Sequence, residues 1–309
     1  MPRIPVGAAI ESALQWLVDN VGGFFDGVAA VLLFAVNAVY TALASLMPFA
    51  LIAVFALLAA VAVRSIALTA FTVLAFLLVD GMQLWTETLE TLAVVIIAAL
   101  MSIAVGVPIG ILAANSPRVS FYVRPVLDFM QTLPVFVYLV PSVFFFGIGV
   151  VPGIVATTVF AIPPAVRLTE LGIRQVDAEI VEAARAFGPR PGQVLREVQL
   201  PLALPSIMTG VNQVIMLALS MVVVAGMVGA EGLGGVVVSG VTQFNIGVAF
   251  EGGIAVVILA IYLDRVTSAL GRSRGSGRRA RAALDALLGR RGRAEATEAA
   301  APEPERAVA

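Results

Sequence analysis

The side chains that most often do chemistry are unevenly represented in this sequence: it has no Cys, no His and no Lys, and all 19 of its basic residues are Arg. A disulfide framework, a thiolate zinc site, a Ser-His triad and Schiff-base chemistry each need a residue type that is missing. The phosphate loop of nucleotide-hydrolysing proteins ends in a Lys whose ammonium reaches the terminal phosphates, so the chain is not an ATPase of that type. It is not read as an enzyme, and neither a cofactor nor a metal is expected. Three carboxylates, Glu231, Glu251 and Asp264, fall at expected helix ends, where a solvated face explains them. The absence of Cys leaves the redox compartment open.

One short constellation is suited to binding rather than catalysis, in the polar stretch Leu168 to Pro205. Asp177 is placed to cap a helix over Ala178 to Phe187, with Glu179 in the first turn where the helix dipole favours a negative charge. Gly188 followed by Pro189 ends it. Ile180, Ala183, Ala184 and Phe187 then share one face, a small apolar stripe that so short a loop has no core to bury. The paired Ala residues permit close approach, Phe187 can anchor in a pocket, and Glu182 can pair with a cation or cap backbone amides. A second short helix over about Gly192 to Val198 returns the chain at Leu200 and Pro201. This geometry suits docking onto another protein.

The elements that must position this loop are membrane helices. Of the 309 residues, 60% are hydrophobic and only 13% charged, and mean hydropathy is +1.01, whereas soluble domains carry roughly 25% charged residues. About 20 mostly apolar residues cross the hydrocarbon layer. Candidates are Val28 to Met47, which spans or lies along the interface; Pro48 to Val63 and Ser65 to Val79, separated by a tight turn at Arg64; and Thr88 to Ala114. Leu133 to Val166 comes next, broken into two short helices at Gly147 to Gly153, and Pro205 to Ala230 and Gly252 to Leu270 complete the set. The predicted fold is an all-α integral membrane protein, a polytopic bundle of about six or seven transmembrane helices with a cytoplasmic helix-loop-helix.

Arg placement orients the bundle, because cytoplasmic loops are enriched in basic residues. Arg64, the stretch 115 to 132 and the stretch 167 to 204 are separated by pairs of crossings, while the loops near Asp80 to Glu90, Gly147 to Gly153 and Glu231 to Glu251 have no Arg. The basic loops are therefore cytoplasmic. We divide the chain into a lead-in at 1–47, read as retained rather than cleaved, a transmembrane domain at 48–271 and a tail at 272–309. The N-terminus is outside if residues 28–47 are interfacial, as we read them, and inside if they span. The tail switches from Arg-rich to Ala, Pro and Glu, a disordered composition. Its Arg cluster fits attraction to anionic lipid rather than to nucleic acid.

The residues of the polar loop resemble a known signature. Glu182-Ala183-Ala184, then Gly188 four residues after Ala184, then Val198, Leu200 and Pro201 are similar to the EAA motif of ABC-importer permeases, which has Ile at the position of Val198. More widely, Leu127 to Leu270 resembles the ProW-type permease of glycine betaine and proline importers. The matching pieces are MQTLPVFVYLVP (130 to 141), GIGVVPG (147 to 153), VQLPLALPSIMTGVNQ (198 to 213), LALSMVVVAGM (217 to 227) and ILAIYLDRVT (258 to 267). Upstream of about residue 85 the resemblance fades.

The resemblance implies a permease subunit in a bacterial or archaeal cell membrane, importing a compatible solute such as glycine betaine or proline, with another amino acid or a choline-like compound as the alternative cargo. It implies two copies of the permease, two copies of a separate ABC ATPase and an extracytoplasmic solute-binding protein. Glu182, Ala183, Ala184, Phe187, Gly188, Leu200 and Pro201 would face the ATPase. Polar groups inside the membrane must face protein or water, so Gln131, Thr132, Tyr138, Asn212, Gln213 and Ser220 are candidates for the translocation path or for interhelical hydrogen bonds. No Trp or Tyr cluster that could cage a quaternary ammonium is visible in these helices, which leaves specificity to the binding protein. A secondary transporter would need ionisable residues within the helices, and hardly any are expected away from their ends.

Overall fold

A computed structural model of the chain describes residues 6–273, and it is helical throughout, with no strand among the described residues. The first helix, α1 (Val6–Ala44), is 39 residues long and absorbs most of the expected lead-in. No Pro interrupts it, and its internal glycines stand in open space. At 1.5 Å per residue it reaches about 58 Å, roughly twice the hydrocarbon thickness. Its first half carries Glu11, Asp19 and Asp26, and the apolar second half buries Leu32 and Val36 against the bundle.

The next pair forms as its composition dictates. Helix α2 (Pro48–Val63) ends where Arg64 adopts a left-handed conformation at φ 56°, and Ser65 caps α3 (Ile66–Gly81) by accepting a hydrogen bond from the Leu68 amide at 3.5 Å. Helix α4 (Trp85–Asn115) comes next. Helices α5 (Pro117–Thr132) and α6 (Phe136–Phe146) are bent by 92° at their junction. The break at Gly147 and Gly149, both at positive φ, lies where expected. The helix beyond this break is not short: α7 (Val150–Arg174) runs 25 residues, so Leu168 to Arg174 continue a membrane helix rather than opening the loop.

After the short helix over 178–186 the chain runs from Pro191 to Gly226 as one apolar stretch. It comprises α9 (Pro191–Val194), a π-helical turn over Leu195–Gln199, α10 (Leu200–Ser220) and α11 (Val222–Gly226). The expected separate helix over 192–198 thus merges with the span. Pro201 has no N–H to give to the carbonyl four residues back, and the widened turn ahead of it accommodates the ring. The expected outer loop from Glu231 to Glu251 contains a short apolar helix, α12 (Leu233–Thr242), held to α4 by the Leu233 amide donating to the Thr91 hydroxyl at 2.9 Å. The last helix, α13 (Ile246–Ser273), starts six residues earlier than expected. The tail from residue 274 onward lies outside the described residues.

Among the described residues, five helices are long and apolar enough to cross a membrane, six if the bent α5–α6 pair counts as one span, and α2, α3 and α12 are shorter apolar helices. The chain is an all-α polytopic membrane protein. Helix α7 is its axis. Gly106 and Gly110, spaced Gly-x-x-x-Gly on α4, face it so closely that an added Cβ would lie 2.5 Å from the Ala165 Cβ and 2.6 Å from the Thr169 Cβ. In lipid, where apolar surface gives no drive for helices to associate, such close approach supplies the packing energy. A second core joins α2, α3, α4, α10 and α13 around Phe55, Phe76, Leu219 and Leu259.

Candidate functional site

The predicted docking helix is present as α8 (Ala178–Ala186). The Asp177 carboxylate accepts from the Glu179 amide at 3.0 Å, which satisfies one of the orphan donors of the first turn. At the far end the Gly188 amide donates to the Arg185 carbonyl at 2.9 Å, with Gly188 at φ 76°. Residues with a Cβ rarely adopt that conformation, which is the reason for a Gly there.

The face on which α8 lies is set by Val181, which is 8% exposed and lines a cleft with Ala114 of α4 and Ile173 of α7. Most of the predicted stripe points away from this support: Ile180 and Ala183 are exposed and Phe187 is 91% exposed, whereas Ala184 is half-buried and Glu182, though exposed, lines the same cleft as Val181. A Phe left in water forgoes about 1.5–3 kcal/mol of burial. Of the two residues at the return, Pro201 is exposed, whereas Leu200 packs inward with Ile173, Ala203 and Ile207. The loop shares one end of the bundle with the 115–118 turn, since the Arg174 guanidinium donates to the Ala113 carbonyl at 2.9 Å.

The candidate path residues separate into groups. Gln131 and Thr132 are exposed at the end of α5, where the Thr132 hydroxyl donates to the Phe129 carbonyl at 3.0 Å. Tyr138 is half-buried, and its hydroxyl donates to the Met130 carbonyl across the α5–α6 bend. Gln213 and Ser220 lie on one exposed stripe of α10 with Pro205, Thr209 and Met216. Asn212 instead faces α13, where it donates to Asp264 at 2.8 Å.

Two expectations need correction, and a third gains detail. Asp264 is not at a helix end, because α13 runs on to Ser273, and Glu251 likewise lies inside α13, although exposed. Ionisable groups do occur within the helices: Glu170, in the last turns of α7, is 4% exposed and accepts from the Ser120 hydroxyl at 2.7 Å, Arg124 at 3.0 Å and Arg174 at 3.0 Å. Its signal was in the sequence as Arg167-x-x-Glu170 opposite Arg124-x-x-x-Asp128, but it became visible only once α7 extended past Val166. Finally, Trp85 and Tyr262 do meet aromatic partners, with Phe76 6.3 Å from Trp85 and 5.3 Å from Tyr262 between ring centroids. Phe55, Phe76 and Tyr262 are buried in the core, so this cluster fills space rather than forming an open cage.

Comparison with known proteins places the chain among relatives. Residues 106–275 match the family model described as binding-protein-dependent transport system inner membrane component. The chain is 51% identical over 268 residues to the glycine betaine transport system permease protein OpuAB of Bacillus subtilis, covering 86% of this chain and 94% of that one. It is 45% identical over 277 residues to the glycine betaine/proline betaine transport system permease protein ProW of Escherichia coli, covering 89% of this chain and 78% of the relative. Among solved structures, an inward-facing conformation of the MetNI methionine ABC transporter superposes with a TM-score of 0.56 at 25% identity, over 60% of this chain and 92% of that one.

Proposed function

The chain belongs to the family of binding-protein-dependent transport system inner membrane components, and from that premise we propose that it is the permease of an ATP-driven importer whose cargo is glycine betaine, proline or a related quaternary ammonium osmolyte. The protein is a multi-pass component of the cell membrane. As a permease of this kind it works with a separate ATPase and a solute-binding protein. In our reading two permease copies enclose the path and two ATPase subunits dock beneath them. The cargo is inferred from relatives named for glycine betaine and proline betaine transport.

The observation that carries the coupling role is the capped helix α8, seated on the bundle through Val181 and presenting Phe187 to solvent. It is joined to α7 by only Gln175, Val176 and Asp177 and continues through α9 into α10. A push on α8 by the ATPase therefore reaches two spans at once. Glu182, Ala183, Ala184, Phe187 and Gly188 are assigned to the ATPase contact, with Pro201 at its edge and Leu200 holding the return in place. The exposed stripe of α10 and the Gln131–Thr132 end of α5 are assigned to the path, because the exposed side-chain amides of Gln213 and Gln131 would be costly against lipid.

The test is uptake of labelled glycine betaine and proline into vesicles that contain the chain, its ATPase and its binding protein, with and without ATP. A Gly188→Trp variant, strained at positive φ, is expected to hydrolyse ATP without uptake. Uptake of a different solute would move the cargo. Uptake indifferent to ATP would overturn the importer reading.

A further inference from the structure

Helix α5 is held to the bundle thinly. Only Ser120 and Leu127 of its 16 residues are buried, and Phe121, Tyr122, Val126 and Phe129 are exposed. Beyond these and the hydrogen bond from the Tyr138 hydroxyl to the Met130 carbonyl, its ties are charged. Arg124 donates to Glu170 at 3.0 Å, and one turn further along, Arg167 donates to Asp128. The pairs are crossed in sign: α5 presents a cation then an anion, and α7 presents a cation then an anion, so antiparallel packing matches both at once and a shift by one turn would oppose like charges. On Glu170 the Ser120 hydroxyl and the guanidinium groups of Arg124 and Arg174 converge on one oxygen, Oε1. Arg174 ends α7, three residues ahead of the Asp177 cap of the docking helix.

We propose that the Arg124–Glu170 and Asp128–Arg167 pairs form a clasp that makes α5 move as one body with α7 when the docking helix is displaced, so that Glu170 and Arg167 are positioning residues for transport. This rests on the reading of the chain as an ATP-coupled permease. Helix α7 is already fused to α4 by the Gly106 and Gly110 contacts and needs no clasp. Helix α5, whose far end carries Gln131 and Thr132, lacks such packing. Ionic ties at the cytoplasmic end are then what deliver α7's displacement to the end of α5.

The test uses an Arg124→Ala/Asp128→Ala double variant in the full complex with its ATPase and binding protein. It removes both ion pairs between α5 and α7 yet leaves the buried Glu170 with the Arg174 guanidinium and the Ser120 hydroxyl as partners, so that no carboxylate is buried alone. Two readouts are taken. In proteoliposomes, glycine betaine taken up per ATP hydrolysed is expected to fall about five- to tenfold while hydrolysis continues; Glu170→Gln should do the same and Glu170→Asp should recover part of the ratio. Spin labels on Cys introduced at Phe121 of α5 and Leu112 of α4, both exposed, should give one narrow distance in the parent with or without ATP. In the double variant that distribution should broaden or shift. An unchanged distribution with an unchanged ratio overturns the clasp, as does a parallel loss of hydrolysis and uptake. If the parent hydrolyses ATP but takes up no glycine betaine, the cargo assignment fails, and the distance distribution alone decides on the clasp.

Discussion

Asn212 on α10 donates its side-chain amide to Asp264 on α13 at 2.8 Å, and Thr267, three residues further along α13, donates its hydroxyl to the Asn212 oxygen at 2.5 Å. A carboxylate and an amide that would each be penalised alone in an apolar bundle satisfy one another across two helices. The Leu263 carbonyl lies 2.6 Å from the same hydroxyl, so its single proton is shared between two acceptors. The network sits between the helix that continues from the docking segment and the last helix of the chain, and it sets their relative register.

Asn212→Leu removes both side-chain contacts and leaves Asp264 without its interhelical donor, so the loss is expected to be about 1–3 kcal/mol. Asp264→Asn still offers an oxygen to the Asn212 amide and should stay within about 0.5 kcal/mol of the parent. Thermal unfolding of the purified chain in detergent reads both. Equal midpoints for Asn212→Leu and the parent would place Asn212 in the path rather than in the framework.

The α4–α7 contact predicts a sharp difference between glycines. A Cβ at Gly110 would meet the Val166 carbonyl oxygen at 2.7 Å, backbone that cannot swing aside, whereas a Cβ at Gly192 meets nothing within 4 Å. Gly110→Ala is therefore expected to destabilise by about 1–3 kcal/mol through overpacking, and Gly192→Ala to be neutral. The same melting experiment separates them, and equal midpoints would mean that α4 and α7 pack less closely than these distances require.

Much of the fold was legible in advance because the deciding signals are local. The helix over 178–187 follows from Asp177 at one end and Gly188 at the other, and the turn at Arg64 follows from the change of pattern on either side of it. The features that were not legible depend on partners distant in sequence. Leu168 to Arg174 look too polar for membrane until Ser120 and Arg124 are seen to meet Glu170. Asp264 looks like a helix end until Asn212 is placed opposite it. The merging of α9 with α10 was hidden because Pro201 suggests a break, and only the π-helical turn shows how the chain avoids one.

For the docking helix, the separation of its two faces gives opposite expectations for neighbouring apolar residues. Phe187→Asp changes a side chain that touches little in the chain alone, so stability should change by less than about 0.5 kcal/mol. The affinity for the ATPase should fall at least about tenfold if Phe187 is the anchor of the contact. Val181→Asp buries a carboxylate beneath α8 and should destabilise the chain itself. Co-purification with the ATPase, set beside the melting curve of each variant, tells the two apart. Undiminished co-purification of Phe187→Asp would remove it from the interface.

The exposed stripe of α10 can be probed directly, since the chain has no native Cys and any introduced thiol is the only one present. Charged thiol reagents react with the thiolate, which forms where water reaches and is suppressed in hydrocarbon. Gln213→Cys and Thr209→Cys, on the stripe with exposed polar side chains, are expected to label rapidly in membranes. Leu74→Cys, in the apolar groove between α3 and α13, should label slowly because apolar surroundings disfavour the thiolate. Binding protein loaded with solute, or ATP trapped on the ATPase, should change the rate at Gln213→Cys and leave Leu74→Cys unaffected. A Gln213→Cys thiol as unreactive as Leu74→Cys in every state would mean that the stripe is sealed against protein, and the path would then have to be sought along α5 and α6.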